Sequence, residues 1–112
     1  MESILNTVKK AVSVMPEYTV FDDELIMHIN TVFMGLAQMG VGPSTGFRIE
    51  DATETWDDFL PLQDENLEAV KTYIGLKVRL LFDPPSSSIH AEAIKQAIAE
   101  LEWRLNFEVE SK

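Results

Sequence analysis

The sequence predicts a mainly α protein, a small helical bundle of about four helices with an irregular acidic middle segment. Three observations lead there. Apolar residues recur every three to four positions in four separate stretches, the spacing that gives a helix one greasy face. Each stretch is bounded by a capping residue or by glycine and proline. The chain has 112 residues, 46% of them hydrophobic, and no cysteine, so one core without disulfides or thiolate metal sites must hold it. We read residues 1–112 as a single domain, fraying from about residue 107 to 112.

Ser3 is placed to cap a first helix through Ile4, Leu5, Val8, Ala11 and Val12, ended by Pro16. Asp22 is placed to cap a second, with Asp23 and Glu24 in its first turn, where the helix dipole favours acids. Its stripe is Leu25, Ile29, Val32, Phe33 and Leu36; Gly40 and Gly42-Pro43 stop it. From Gly40 to Gln63 the chain is turn-rich and acidic. Phe47–Ile49 reads as a short strand or extended arm, and Thr55 caps a brief helix through Trp56 and Phe59. Asp64 is placed to cap the third long helix, with Leu67, Val70, Ile74, Val78 and Leu81 on one face and Pro84-Pro85 as a hard stop. Ser88 is placed to cap the last, with Ile94, Ile98, Leu101 and Leu105 facing inward.

The charge is lopsided: 9 Lys and Arg against 19 Asp and Glu, a net of −10. Binding along a nucleic-acid backbone needs clustered cations, so that class is disfavoured. No leader peptide is visible and no apolar run approaches the roughly 20 residues of a membrane helix, so we expect a soluble protein of a reducing cytoplasm. Seven acids and no base fall between Glu50 and Glu65. Glu50, Asp51, Glu54, Asp57 and Asp58 do not have the alternation of a calcium loop, and a solvated acidic face is the plain reading. His28 and His90 stand far apart in sequence, and no nucleophile, zinc-binding or phosphate-binding motif occurs. We therefore expect no enzyme, no cofactor and no metal.

Apolar surface exceeds what one core face uses. Met27 and Met34 lie opposite Ile29 on the second helix, and Ala69, Tyr73, Leu76 and Leu80 form a second stripe on the third. Trp103 and Phe107 are i, i+4 neighbours on the side of the last helix away from Ile98. Methionine and aromatics off the core face are what interfaces enrich; burial of a central helix on all sides is the plainer explanation for the third. Trp56 and Phe59 either lock the middle segment to its own bundle or insert between subunits. Arg48 pairs with a nearby acid or with a neighbouring subunit.

Four segments together carry a resemblance: HINTVFMGLAQMGVGP (His28–Pro43), GFRIEDATETWDDF (Gly46–Phe59), NLEAVKTYIGLKVRLLFDPP (Asn66–Pro85) and ELEWRLN (Glu100–Asn106). They resemble the head–tail connector, or adaptor, proteins of long-tailed bacteriophages that infect Gram-positive bacteria. The match extends from about Asp22 to Asn106. It implies a structural virion protein, free in the host cytoplasm before assembly. It implies a ring of about a dozen copies under the portal protein. Such a ring extends the DNA channel and offers a docking surface to the next neck or tail protein, a stopper or tail-completion protein. DNA passes without specific binding, no membrane is involved, and the family has no catalytic residues to carry over. A closed ring needs two different lateral faces, which the spare apolar stripes supply. The Glu50–Asp58 acids either line the channel, repelling the phosphates of passing DNA, or face outward. Readings from other classes are an acidic DNA-mimicking inhibitor, a small enzyme with a carboxylate metal site, and a generic helical interaction module.

Overall fold

The computed structural model describes residues 2–60 and 64–110. Five helices follow in order: α1 (Ile4–Ala11), α2 (Asp22–Gln38), the single-turn α3 (Trp56–Phe59), α4 (Leu67–Phe82) and α5 (Ser88–Glu110). Helix α4 is the centre, packing against α1, α2 and α5. Its Val70, Ile74 and Val78 meet a core shared with Leu25, Ile29, Val32 and Leu36 of α2 and Ile4, Leu5 and Val8 of α1. Burying each such side chain contributes about 1.5–3 kcal/mol. The body is a flattened slab, 39 × 35 × 21 Å.

Helix ends follow local chemistry, with corrections to the sequence reading. Ser3 caps α1 as expected, its Oγ accepting from the Asn6 N–H at 3.2 Å. The helix ends at Ala11, well before Pro16, because Ser13 turns left-handed at φ 64°. Ser13 N–H then donates to Lys10 O and Val14 N–H to Lys9 O, which satisfies two terminal carbonyls. Gly40, at φ 83°, closes α2 through the same pair of bonds, Gly40 N–H to Ala37 O and Val41 N–H to Leu36 O. Asp22 does not cap α2; the N-cap is Phe21, without a side-chain bond. The Asp22 carboxylate instead holds Lys9. Asn66 occupies the N-cap of α4, and Asp64 supports it by accepting from the Asn66 N–H at 2.8 Å. Ser87, one residue before the expected Ser88, caps α5 by accepting from His90 N–H at 3.3 Å. Helix α5 runs on to Glu110, past the point near Phe107 where fraying was expected.

The middle segment is irregular but firmly held. Phe47–Ile49 forms no strand; among the described residues, β pairing is limited to one isolated bridge, Ser3 to Thr55. The Asn30 side chain of α2 takes the place of a neighbouring strand. Its Nδ2 donates to Ile49 O at 2.9 Å and its Oδ1 accepts from Ile49 N–H at 2.8 Å. Phe47 and Phe59 pack edge-on and tilted around Phe33 of α2, with ring centroids 4.7–5.3 Å apart. Gly42 is required beside them: its φ is 93°, and a Cβ there would lie 2.4 Å from the Phe59 ring.

Candidate docking surfaces

The expected interface residues divide into two groups. Trp56, Phe59 and Tyr73 are enclosed in the chain's own core, at 1%, 4% and 2% exposure, so they offer nothing to a neighbour. Trp56 is drawn inward because its indole N–H donates to Thr7 Oγ1 of α1 at 2.9 Å. Trp56 and Phe59 thus lock the middle segment to the bundle. Tyr73 is covered because α5 crosses it, and its hydroxyl donates to Glu102 at 2.8 Å. Burial and the Glu102 carboxylate push the Tyr73 hydroxyl above the usual tyrosine range. Leu80 is half-buried against the core, whereas Leu81, expected inside, is exposed.

Met27, Met34, Trp103 and Phe107 are all more than half exposed. The Trp103 and Phe107 rings stack at 5.5 Å with planes 18° apart, one turn of α5 separating them. With Glu65, Asn66 and Ala69 at the start of α4 they border a shallow groove. Met27 and Met34 stand on one exposed line along α2, seven residues apart, with the exposed Thr31 between them.

A second apolar patch lies at the other end of α4 and escaped the sequence reading. Phe21 stands edge-on to Phe82 at 5.1 Å and to Tyr18 at 5.7 Å. Met15 and Val20, in the same α1–α2 turn, are about 70% exposed. Four large apolar residues within seven positions of a connecting turn were the available signal. The turn is fixed from below by Lys9, almost wholly buried, whose ammonium donates to Asp22 Oδ1 at 2.7 Å and to Pro16 O at 2.9 Å. From Ala69 to Phe82 is 13 residues of helix, so the two patches are about 20 Å apart along α4.

The acidic segment serves its own turn first. Glu54 accepts from the Glu50 and Asp51 N–H groups at 2.8 and 3.3 Å. Asp51 accepts from Thr53 N–H at 2.8 Å and from the Thr53 hydroxyl, which holds its carboxyl below the usual range. Asp58 accepts from Thr55 N–H at 2.9 Å, the returning half of a capping box. Glu50, Asp57 and Arg48 point to solvent. His28 lies 3.4 Å from Glu24, and His90 is exposed. Among the described residues no three His, Asp or Glu side chains converge as a metal site, and no helix is long and apolar enough to cross a membrane.

A family model described as phage connector protein matches residues 4–112, nearly the whole chain. The chain belongs to the phage connector protein family. This agrees with the resemblance borne by the four segments and extends it over α1 and the end of α5. No curated protein and no solved structure matches the chain. A connector is a phage structural protein that works against other phage structural proteins, so its exposed apolar patches are the residues of functional interest.

Proposed function

We propose that this connector assembles as a ring of about a dozen copies under the portal vertex, where cyclic symmetry lets one subunit type close a channel. The ring extends the DNA channel and docks the next neck or tail protein, at the head–tail interface of a phage of Gram-positive hosts. The chain acts by binding and has no catalytic step. The observation that supports this reading best is the pair of unlike apolar patches, Trp103–Phe107 and Tyr18–Phe21–Phe82, about 20 Å apart on one slab. Identical subunits that close a ring meet through two different surfaces, and exposed stacked aromatics are the kind of anchor that dominates such contacts. The carboxylates at Glu50–Asp58 keep the channel from holding DNA. Glu50 and Asp57, both exposed, can be changed for that purpose without loss to the fold, whereas Asp51, Glu54 and Asp58 also hold their own turns.

The test is Trp103→Ala. Circular dichroism and unfolding of the free chain should match the native protein, since the indole is 66% exposed. Sedimentation with purified portal should weaken by about 2 kcal/mol or more, as for a hot-spot residue. An unfolded variant, or one that sediments as the native chain does, contradicts the assignment.

A further inference from the structure

Helix α5 turns Ile94, Ile98, Leu101 and Leu105 toward the core. About 150° round the helix from that stripe lies a second line, Ile89, Ala93, Gln96, Glu100, Trp103 and Phe107, every one of them exposed. Its spacing alternates four residues and three, the repeat of a seam that packs along another helix. From residue 89 to residue 107 the line is about 27 Å long. Among the described residues nothing covers it.

The seam is complementary to itself when reversed. Turned end for end about residue 98, it sets Ile89 on Phe107, Ala93 on Trp103 and Gln96 on Glu100. The two apolar ends meet, the largest side chain meets the smallest, and the Gln96 amide donates to the Glu100 carboxylate. The surface has the matching relief. A shallow hollow lies beside Ala93, bordered by Ser88, Ile89, Glu92 and Gln96, and the stacked Trp103–Phe107 pair projects near the other end. A parallel pairing sets Glu100 on Glu100 and Trp103 on Trp103, so charge and volume both oppose it. Charge also favours this helix over the rest of the surface. Copies at −10 repel one another, but from Ser88 to Phe107 three acids, Glu92, Glu100 and Glu102, face two bases, Lys95 and Arg104, a net of only −1.

We infer that the free chain pairs with a second copy through α5, antiparallel about a two-fold axis at residue 98, with Trp103 of each copy in the Ala93 hollow of the other. This contact uses the same surface on both copies, so it closes at two and builds no ring. It keeps the Trp103–Phe107 patch covered until the portal or a neighbouring subunit takes it. The dimer stands on the α5 seam alone; its parting before assembly rests on the ring proposal above. One seam with a polar centre is a small interface, so the chains separate on dilution and the stability expected of Trp103→Ala is that of the single chain.

The test is sedimentation velocity of the full chain alone, from about 1 μM to about 1 mM. The native chain should pass from monomer to dimer and go no further. Ala93→Trp fills the hollow at an exposed position; its circular dichroism should be native, and its dissociation constant should rise about tenfold or more. The chain has no cysteine, so Gln96→Cys and Glu100→Cys are clean probes. Mild oxidation of the two single variants mixed should give a covalent dimer that neither gives alone. A native chain that stays monomeric throughout, an Ala93→Trp chain that pairs as the native one does, or Glu100→Cys linking to itself overturns this dimer while the ring stands. A native chain that dimerises but forms no annulus on purified portal overturns the ring proposal and leaves the dimer.

Discussion

Gly42 shows how much one missing methyl group decides. Its φ of 93° and the Phe59 ring 2.4 Å from a would-be Cβ leave no relaxed arrangement for alanine. Gly42→Ala should cost about 3 kcal/mol, read as a lower urea midpoint at unchanged slope. Asn30→Ala should cost about 2 kcal/mol, because it strands the N–H and carbonyl of the buried Ile49. Tyr73 gives the fold an alkaline limit. Its pKa is raised above the ordinary 10.0, so its stabilising contribution is complete below that value and is lost as pH rises through the folded-state pKa. Above pH 10.0 the native chain should lose stability faster than Tyr73→Phe in thermal melts. Glycine at position 42 is legible in the sequence as a turn; its contact with Phe59 is not, since nothing local links residues 17 positions apart. Asn30 reads as one more polar position on α2 until Ile49 arrives beside it.

At the scale of elements, periodicity located every long helix because each buries one stripe, and the stripe is written locally. Boundaries were harder. Proline marks where a helix cannot continue, but α1 stops earlier because Ser13 and Val14 cap its last carbonyls. Ser13 holds φ 64° at the expense of a Cβ clash, so Ser13→Gly should raise stability by about 1 kcal/mol in chemical unfolding. Asp22 looked like a cap because an acid opens the helix; the buried Lys9 ammonium is the stronger claimant, as an unpaired buried charge is far more costly than an uncapped turn. The aromatic pair Trp103–Phe107 was readable because α5 packs mainly on α4, with only its end reaching the Gly40–Gly42 loop, so residues off its inner stripe stay outside. Tyr73 broke the same rule on α4, which is enclosed by three helices.

At the scale of the whole molecule, the slab combines a core that is complete without partners and apolar surface that is not. Trp56 and Phe59 show the first: the middle segment, although irregular, closes over its own aromatics. Trp103, Phe107, Phe21 and Met27 show the second, since folding of one copy leaves them in water. Family membership says that the chain works against other phage structural proteins, and this surface is what one copy has left to offer them. The most direct measurement is electron microscopy of the full-length chain after sedimentation with purified portal vertices. An annulus of identical subunits on the portal, with Trp103 and the Tyr18–Phe21–Phe82 cluster covered, is the expected result. Chains that stay monomeric in the supernatant, indifferent to the portal, would contradict the assignment.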